Sequence, residues 1–514
     1  MTVNSMIAYF FRDIIIRGSI TFHNHKDSLP FQSLYGPLEG TVSSISYDSR
    51  NARKNTAFFC LRGTNYDGHL FIKGAIDNGA SLIVGEDEKI LRHFSYQYDH
   101  ITFLSVKDSK KVMGLFSSSF YHHADQALTT VGITGTNGKT TVTAYVRSLL
   151  NRVGMRTGSI GTAGIWDHEK ELNFTHTTHT TPEAPDLHET FSHFVQKGLK
   201  AVSMEVTFIA IEQKRVEGIL FDIAVHTHLT PDHLDFHNSF EEYKKAKLKL
   251  FTRAKKAVVN LDDEGMSKDI LSLFKGQVIT YSMKQKADVF AKVIKVEKTG
   301  TVFQLHVYGD NYLVKAPIHG DHNIANFLAA FSACLLMKIS IQDLLTAANF
   351  ITGPEGRFQL LTNYPSHQII LDYAHTPEAL ESLVKAVKNL PHKRLILMVT
   401  GVGLRDPKQR PFIGKAVDGK ADEIVVTVDH PGPHNRRNIV DDVMKGFSSS
   451  SSVHVELHRE RGIHKALSLA DKDDLIVLTG LGFGGYQVIG KENVPYCEYD
   501  VIHQYFNKEQ KVLV

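Results

Sequence analysis

The chain is 514 residues long, and its 58 Lys and Arg side chains nearly balance its 55 Asp and Glu side chains. A formal net charge of +3 is too small over this length to indicate binding to nucleic acid or to a membrane surface. The hydrophobic fraction of 42% is typical of a globular protein. At roughly 150 residues per domain, the length predicts about three domains.

Neither the cysteines nor the N-terminal residues indicate export. Cys60, Cys334 and Cys497 lie far apart in the sequence and have no metal-ligand spacing, which favours a reducing compartment. The apolar run at residues 7–11 is too short to span a bilayer and has no small-residue cleavage site. We therefore expect a cytoplasmic protein without membrane insertion.

Strand-like apolar runs alternate with helical periodicity along most of the sequence, which predicts an α/β fold with largely parallel sheets. A new strand near residue 129 and a cluster of glycine and proline at residues 353–356 mark the boundaries between runs. They predict three domains, at residues 1–125, 126–352 and 353–514. The central domain is expected to hold a mostly parallel sheet flanked by helices, and the last domain to be Rossmann-like. The clearest predicted strands lie at residues 57–59, 81–84, 129–134, 368–371, 395–399, 423–426 and 475–478.

A turn with two glycines stands between the predicted strand at 129–134 and a helix, whose apolar residues recur from Val142 to Val153. At a helix N-terminus, free backbone N–H groups favour an anion. A strict phosphate-loop pattern requires glycine at position 133, which is isoleucine, so the turn alone could also be an ordinary strand-to-helix connection. The predicted nucleotide-binding residues are Gly135, Thr136, Asn137, Gly138, Lys139, Thr140 and Thr141.

Candidate metal ligands follow in residues 204–251. Glu205 ends an apolar strand, so its carboxylate should project from the carboxyl edge of a parallel sheet, where ligands bind. A stretch dense in histidine and aspartate follows at residues 226–237, and the lysine-rich helix at residues 243–251 would ordinarily be a solvated face. Together with the turn at 135–141, these residues predict carboxylate and imidazole ligands around magnesium on a triphosphate.

These motifs resemble the Mur ligases, the ATP-dependent enzymes that form amide bonds in peptidoglycan synthesis. The turn at 135–141 matches that family's variant of the phosphate loop, which accounts for Ile133. The resemblance to the MurE branch covers nearly the whole chain. Its other matching segments are residues 47–50, 67–69, 180–183, 229–237, 243–247, 356–358, 371–377 and 405–411.

The resemblance implies a ligase that uses ATP and Mg²⁺ to extend UDP-N-acetylmuramoyl-L-alanyl-D-glutamate by one amino acid. The γ-phosphate of ATP would convert a carboxylate into an acyl phosphate, and the incoming amine would then expel phosphate. Lys139, His233 and a carbamylated Lys247 would be the catalytic residues. The Mg²⁺ ligands would be Thr140, Glu205, His233 and Lys247.

The same resemblance assigns the remaining substrate contacts. Further nucleotide contacts would come from Asn323, Arg357 and Asp372. The UDP-sugar peptide would contact Ser49, Thr180, Thr181, Gln213 and Arg215. The incoming amino acid would contact Asp429, His430, Gly480 and Gly484.

The sequence departs from the family pattern where the incoming amino acid would be chosen. Diaminopimelate-adding enzymes carry Asp-Asn-Pro-Arg, whose arginine grips a second carboxylate, whereas residues 429–432 read Asp-His-Pro-Gly. A family acid is missing from residues 480–487, and residues 207–209 have lost a hydroxyl and an imidazole. The missing arginine disfavours diaminopimelate. The missing acid would normally meet an amino group of the incoming amino acid, which weakens the case for lysine too, although Asp429 survives. Lysine or another non-diaminopimelate amine is therefore favoured.

Three interpretations follow from the sequence alone. The first is a MurE-type ligase, and the second is a related ligase of another pathway that joins a different acid and amine. The third is a non-catalytic homologue that binds a nucleotide sugar. The intact set of Lys139, Thr140, Glu205, His233 and Lys247 argues against the third interpretation.

Overall fold

The structure is a computed structural model that describes residues 20–21, 31–37, 39–63, 66–174, 178, 180–229, 240–361, 363–364, 367–449, 451–481 and 485–512. The chain divides into two compact units. The first comprises Met1–Lys139, Gly154–Val259 and Asp263–Val278, and the second comprises Thr140–Val153, Asn260–Asp262 and Ile279–Val514.

Strands and helices alternate from the first described residues onward. Up to residue 140 the strands are β1 (Ile20–Thr21), β2 (Phe31–Tyr35), β3 (Glu39–Gly40), β4 (Ser44–Ser46), β5 (Thr56–Phe59), β6 (Ala80–Gly85), β7 (Thr102–Val106) and β8 (Thr129–Thr134). The helices of this stretch are α1 (Ile72–Asp77), α2 (Glu88–Ser95) and α3 (Ser109–Phe120).

The middle of the chain has longer helices between its strands. Its strands are β9 (Thr157–Gly161), β10 (Gly164–Trp166), β11 (Glu171–Leu172), β12 (Ala201–Glu205), β13 (Phe221–His226), β14 (Ala254–Asn260), β15 (Gln277–Ser282), β16 (Val289–Glu297), β17 (Gly300–Val307) and β18 (Asp310–Ala316). Its helices are α4 (Lys139–Arg152), α5 (Ala184–Gln196), α6 (Phe208–Glu212), α7 (Phe240–Leu248), α8 (Ser267–Leu273), α9 (Asp321–Leu336) and α10 (Ile341–Ala348).

The last part of the chain continues the alternation. Its strands are β19 (Gln359–Leu361), β20 (Gln368–Asp372), β21 (Leu395–Val402), β22 (Glu423–Asp429), β23 (Val453–Val455), β24 (Leu475–Thr479), β25 (Tyr486–Ile489) and β26 (Glu492–Pro495). Its helices are α11 (Pro377–Lys388), α12 (Arg410–Val417), α13 (Arg436–Met444), α14 (Arg459–Ser468) and α15 (Glu498–Val512).

Parallel strands form the centre of the first unit. Neighbouring strands follow the order β11-β10-β9-β12-β8-β13-β14, and the five from β9 to β14 run parallel. Strand β8 is buried from Thr130 to Thr134, as expected of a central strand covered on both faces. In register, Glu205 stands opposite Ile133 and His226 stands opposite Thr134. The carboxyl ends of β12, β8 and β13 therefore meet at one edge. A smaller sheet of this unit has the order β2-β7-β6-β5-β4.

In the second unit, the strand order β19-β20-β24-β21-β22-β23 forms the Rossmann-like sheet. All its pairings are parallel except that of the edge strand β19. Along β21, Leu395, Leu397 and Val399 join one buried cluster, whereas Ile396 and Met398 join another. Side chains alternate between the faces of a strand, so this apolar run supplies a core on each side of the sheet.

The α/β prediction is confirmed, and each predicted strand noted above overlaps an observed one. The domain boundaries at 125/126 and 352/353 stay predictions. Within the described residues, no helix combines the length and the apolar character that a membrane crossing requires.

Candidate functional site

The predicted phosphate loop leaves β8 after Thr134 and enters α4 at Lys139. At Gly135 the backbone has a φ of +151°, which residues with a Cβ rarely adopt. A Cβ at this position would also lie 1.9 Å from Oγ1 of Thr227. Both the backbone angle and the close neighbour therefore require glycine at the first position of the loop.

Residues 226–229, which we call the bracing segment, hold the loop by hydrogen bonds. The backbone N–H of Thr136 donates to the carbonyl oxygen of His228 at 2.7 Å. Oγ1 of Thr227 donates to the carbonyl oxygen of Asn137, also at 2.7 Å. Because these bonds fix the loop backbone from one side, its N–H groups are held in a set direction for a ligand.

Two lysine side chains converge on one carbonyl oxygen of the loop. Nζ of Lys139 lies 3.0 Å from the oxygen of Gly135 and 2.8 Å from that of Thr136. Nζ of Lys247, on α7, lies 2.6 Å from the same Gly135 oxygen and 4.6 Å from the ring centre of Tyr243. Two positive charges at one point repel each other and attract a polyanion, so the loop fits a triphosphate.

Lys247 is only 2% exposed. A solvated face is therefore the wrong interpretation of this helix at Lys247, although it suits the exposed Lys245. The burial of Lys247 and its hydrogen bond to the carbonyl oxygen of Gly135 distinguish it from the exposed Lys245 on the same helix.

Glu205 ends β12 and is 1% exposed. Its Oε1 accepts the backbone N–H of Thr162 at 2.7 Å, and its Oε2 accepts the hydroxyl of the same threonine at 3.4 Å. Since Glu205 is opposite Ile133 in the sheet, it emerges at the same edge as the loop. A carboxylate at this edge can supply an oxygen ligand to Mg²⁺.

The predicted metal ligands are placed unequally. Glu205 and Lys247 lie at the loop edge of the first unit, whereas Thr140 is buried in the first turn of α4. His233 lies outside the described residues. In the described ranges, no group of three or more His, Cys, Asp or Glu side chains could hold a metal ion. What is present fits Mg²⁺ held by few protein oxygens and completed by phosphate oxygens, which is usual at nucleotide sites.

Residues predicted to hold the UDP-sugar peptide gather beside Glu205. Oγ1 of Thr181 donates to the carbonyl oxygen of Glu205 at 3.0 Å, and Nη1 of Arg215 donates to that of Thr181 at 3.1 Å. Nε of Arg215 lies 2.7 Å from Oε1 of Glu183. Burial raises the pKa of Glu183, and the nearby Arg215 opposes that shift. Thr180 lies in the same group.

Ser49 and Gln213 are also predicted to contact the UDP-sugar peptide, but their hydrogen-bond partners lie elsewhere in the structure. The carbonyl oxygen of Ser49 accepts Nδ2 of Asn78 at 2.9 Å, and the side-chain oxygen of Gln213 accepts Nζ of Lys110. These contacts do not involve the Thr180–Thr181 pair. A shared role with that pair stays a prediction.

In the second unit, the predicted nucleotide contacts gather around Phe358. Oδ2 of Asp372 accepts the backbone N–H of Phe358 at 2.7 Å, and Arg357 directly precedes Phe358 in the chain. Nδ2 of Asn323 donates to the carbonyl oxygen of His319 at 3.0 Å. The His319 ring centre lies 5.5 Å from that of Phe358. The structure therefore brings Asn323, Arg357 and Asp372 into one neighbourhood.

The predicted amino-acid contacts border the ends of β22 and β24. Asp429 ends β22 and is 3% exposed, and its Oδ1 accepts the backbone N–H of His430 at 2.9 Å. Nδ1 of His430 accepts the backbone N–H of Val488 at 3.0 Å, which fastens this turn to β25. Gly480 follows β24 and donates its N–H to the carbonyl oxygen of Asp372 at 3.0 Å. Gly484 lies outside the described residues.

Gly432 occupies the position where the diaminopimelate-adding pattern has arginine. Its φ is +56°, and a Cβ there would lie 2.4 Å from Cδ2 of Leu404. A longer side chain would therefore have to displace Leu404 and adopt an unfavourable backbone angle. The local structure is adapted to a residue without a side chain.

Sequence reasoning missed three residues that organise this site, namely Thr162, Glu183 and Asp263. Thr162 holds the Glu205 carboxylate, and Glu183 pairs with Arg215. Asp263 accepts a hydrogen bond from His226 at 2.8 Å. Glu183 stood within a matched motif, but the other two carry no signal of their own because their partners are distant in sequence.

Comparison with known proteins identifies the family. The description "Mur ligase family, catalytic domain" matches residues 41–121, "Mur ligase middle domain" matches residues 133–334, and "Mur ligase, glutamate ligase domain" matches residues 356–482. The chain is 34% identical to UDP-N-acetylmuramoyl-L-alanyl-D-glutamate–2,6-diaminopimelate ligase 1 of Clostridium acetobutylicum, over 93% of this chain and 97% of that one. The chain belongs to the Mur ligase family. This Mur ligase is therefore an ATP-dependent enzyme that forms amide bonds, as the sequence predicted.

Solved structures share the fold of this Mur ligase. A UDP-N-acetylmuramoyl-L-alanyl-D-glutamate–2,6-diaminopimelate ligase superposes with a TM-score of 0.66 at 25% identity, covering 92% of this chain and 96% of that chain. A MurF ligase from Thermotoga maritima in complex with ADP has a TM-score of 0.63 at 18% identity, covering 92% and 98% of the two chains.

We predict that Gly135→Ala weakens ADP binding about tenfold or more, because the added Cβ would push against Thr227 and the φ of +151° would become strained. Calorimetric titration with ADP measures the effect. Gly40→Ala is the control, since a Cβ there meets nothing within 4 Å. Equal ADP affinity of the two variants would contradict the loop assignment.

Proposed function

We propose that this Mur ligase is a cytoplasmic enzyme that adds one amino acid to the D-glutamate of UDP-N-acetylmuramoyl-L-alanyl-D-glutamate. The observation that carries the proposal is the meeting of the phosphate loop, Glu205 and the Thr181–Arg215 contact at one sheet edge. The similarity to a ligase named for this UDP-peptide supports the choice of acid substrate. In this proposal, residues 1–125 bind the UDP-sugar, residues 126–352 bind ATP and residues 353–514 bind the amino acid.

The chemistry requires that a carboxylate become an electrophile. A carboxylate oxygen attacks the γ-phosphorus of ATP, the bond to ADP breaks, and an acyl phosphate forms. The amine of the incoming amino acid then attacks the acyl carbon, loses a proton, and expels phosphate as the amide bond forms. Both steps place negative charge on oxygens near the loop, where Lys139 and the backbone N–H groups at the start of α4 can stabilise it.

The acid substrate needs to be held with its carboxylate directed at the loop. Thr180 and Arg215 supply hydroxyl and guanidinium donors beside Glu205 that suit a carboxylate or a peptide carbonyl, whereas the Thr181 hydroxyl already donates to the Glu205 carbonyl oxygen and is left to accept. Arg215 is oriented by its ion pair with Glu183, which limits the directions its other nitrogens can take. Positioning of this kind supplies a large part of catalysis when two substrates react on one protein.

The residues at the loop edge also fit Mg²⁺, which when bound would neutralise charge on the phosphate oxygens. Glu205 supplies a carboxylate there. Lys247 can become a ligand only after its amine adds to CO₂ and loses a proton, because the carbamate has the oxygen atoms that Mg²⁺ prefers. The same reaction removes one of the two positive charges that now share the Gly135 oxygen. Ligation by Thr140 and His233 stays a prediction.

For the incoming amino acid, we propose lysine or another amine without a second carboxylate. Gly432 offers no bidentate cation, and Leu404 occupies the space beside it. Asp429 remains buried at the end of β22 as the acidic group of this region. Diaminopimelate is the competing outcome, because the relatives described above carry it in their names.

Phosphate release tests the proposal, with ATP, Mg²⁺, the UDP-muramoyl-dipeptide and one amino acid at a time. We expect release with lysine or another amino acid that lacks a second carboxylate. Turnover with diaminopimelate alone would contradict the pocket argument. If ADP binds but no amino acid supports release, the acid substrate is a different one, and the related-pathway interpretation replaces this one.

Lys247→Ala tests the carbamate. We predict a loss of activity of about a hundredfold or more, because the variant lacks both the amine and any oxygen ligand derived from it. We also expect the wild-type enzyme to lose activity in CO₂-depleted buffer and to regain it with bicarbonate. Lys245→Ala, an exposed change on the same helix, is the control. Full activity of Lys247→Ala without a bicarbonate effect would show the assignment to be wrong.

A further inference from the structure

Asp263 is a buried carboxylate whose two oxygens both accept hydrogen bonds. It follows β14 and is 8% exposed. Its Oδ1 accepts the backbone N–H of Leu229 at 2.8 Å. Its Oδ2 accepts Nε2 of His226 and the backbone N–H of Met266, each at 2.8 Å. One carboxylate therefore joins both ends of the bracing segment to the turn after β14.

The electrostatics of this contact favour the ionised carboxylate. Burial alone would raise the pKa of Asp263, but the hydrogen bond and charge of His226, together with the N–H groups of Leu229 and Met266, lower it to about 2. His226 is fully buried, so its ring has little freedom to turn away. At neutral pH the carboxylate thus accepts from His226, Leu229 and Met266, and more distantly from the hydroxyl of Ser267 at 3.5 Å.

The bracing segment is in turn the support of the phosphate loop. Thr227 donates its backbone N–H to the carbonyl oxygen of Thr134 at 3.0 Å and its hydroxyl to that of Asn137 at 2.7 Å. The carbonyl oxygen of His228 accepts the N–H of Thr136. A shift of the segment therefore moves the first half of the loop, at Thr136 and Asn137.

We propose that Asp263 is a positioning residue for the nucleotide: it fixes the bracing segment, and the segment fixes the loop backbone that receives the phosphates. This inference rests on the proposed assignment of residues 135–141 to the nucleotide. Asp263 itself touches neither the loop nor, in this account, the substrates. Its effect passes through His226 and Leu229.

The substitution Asp263→Asn tests this role because an amide cannot satisfy the same donors. If its nitrogen takes the Oδ1 position, the N–H of Leu229 loses its acceptor, and if it takes the Oδ2 position, the N–H of Met266 loses its acceptor. A backbone N–H cannot become an acceptor, so no rearrangement of the histidine ring restores the full set. The first orientation releases the bracing segment at Leu229, and the second releases the turn at Met266 to which Asp263 ties the segment, so the support of the segment is weakened in either case.

Asp262→Asn is the matched control. Asp262 also accepts a backbone N–H, that of Met283 at 2.6 Å, together with the hydroxyl of Ser282, so the amide perturbs hydrogen bonds of the same kind at a neighbouring position. Neither bond involves the bracing segment. We expect this variant to keep the ADP affinity and activity of the wild type.

The experiment measures ADP dissociation constants by calorimetry, steady-state KM values, and folding by circular dichroism. For Asp263→Asn we expect the ADP dissociation constant and the KM for ATP to rise about tenfold, with the KM for the amino acid changed less than about twofold, because only the phosphate loop shifts. A folded Asp263→Asn variant with wild-type ADP affinity would overturn the proposal.

Two further variants keep the outcome decisive. If Asp263→Asn does not fold, Thr227→Val removes the hydroxyl link to Asn137 with little change of shape, and unchanged ADP affinity of that variant would overturn the proposal. Lys139→Ala tests the underlying assignment separately. If Lys139→Ala binds ADP as the wild type does, the loop is not the nucleotide site, whatever Asp263 does.

Discussion

Parallel pairing of β12, β8 and β13 is the constraint on which the site depends. Parallel strands end at the same edge, so the pairing delivers Glu205, Gly135 and Thr227 side by side although they are far apart in the chain. Hydrogen bonds between neighbouring loops, such as those from Thr136 to His228 and from Thr227 to Asn137, then fix the loop backbone at this edge. The phosphate loop, its bracing segment and the threonines beside Glu205 are all consequences of that shared edge.

The charged side chains at this edge determine which ligands it can bind. Lys139 and Lys247 both donate to the Gly135 oxygen, and a buried Glu205 faces the same edge. A triphosphate relieves the repulsion between the two cations, and conversion of Lys247 to a carbamate would exchange a charge that binds phosphate for one that binds metal. The arrangement suits an enzyme that moves a phosphoryl group to a carboxylate and then lets it leave as phosphate.

Much of this site could be predicted from sequence because its elements are local. The loop lies within seven residues of a buried strand, and Glu205 ends an apolar run. The contact of Lys247 with Gly135 spans 112 residues, and that of His226 with Asp263 spans 37, so no local pattern reports either. Thr162 is hidden for the same reason, since a threonine gains its role only from a carboxylate 43 residues later.

The central claim is that ATP activates a carboxylate of the acid substrate. Transfer of an oxygen atom from that carboxylate to the released phosphate tests it most directly. The reaction is run with a UDP-muramoyl-dipeptide whose reacting carboxylate carries ¹⁸O at both oxygens, and the released phosphate is analysed by mass spectrometry. An acyl phosphate requires one ¹⁸O in each phosphate, because the carboxylate oxygen that attacked phosphorus leaves with it. Phosphate without ¹⁸O would contradict the account.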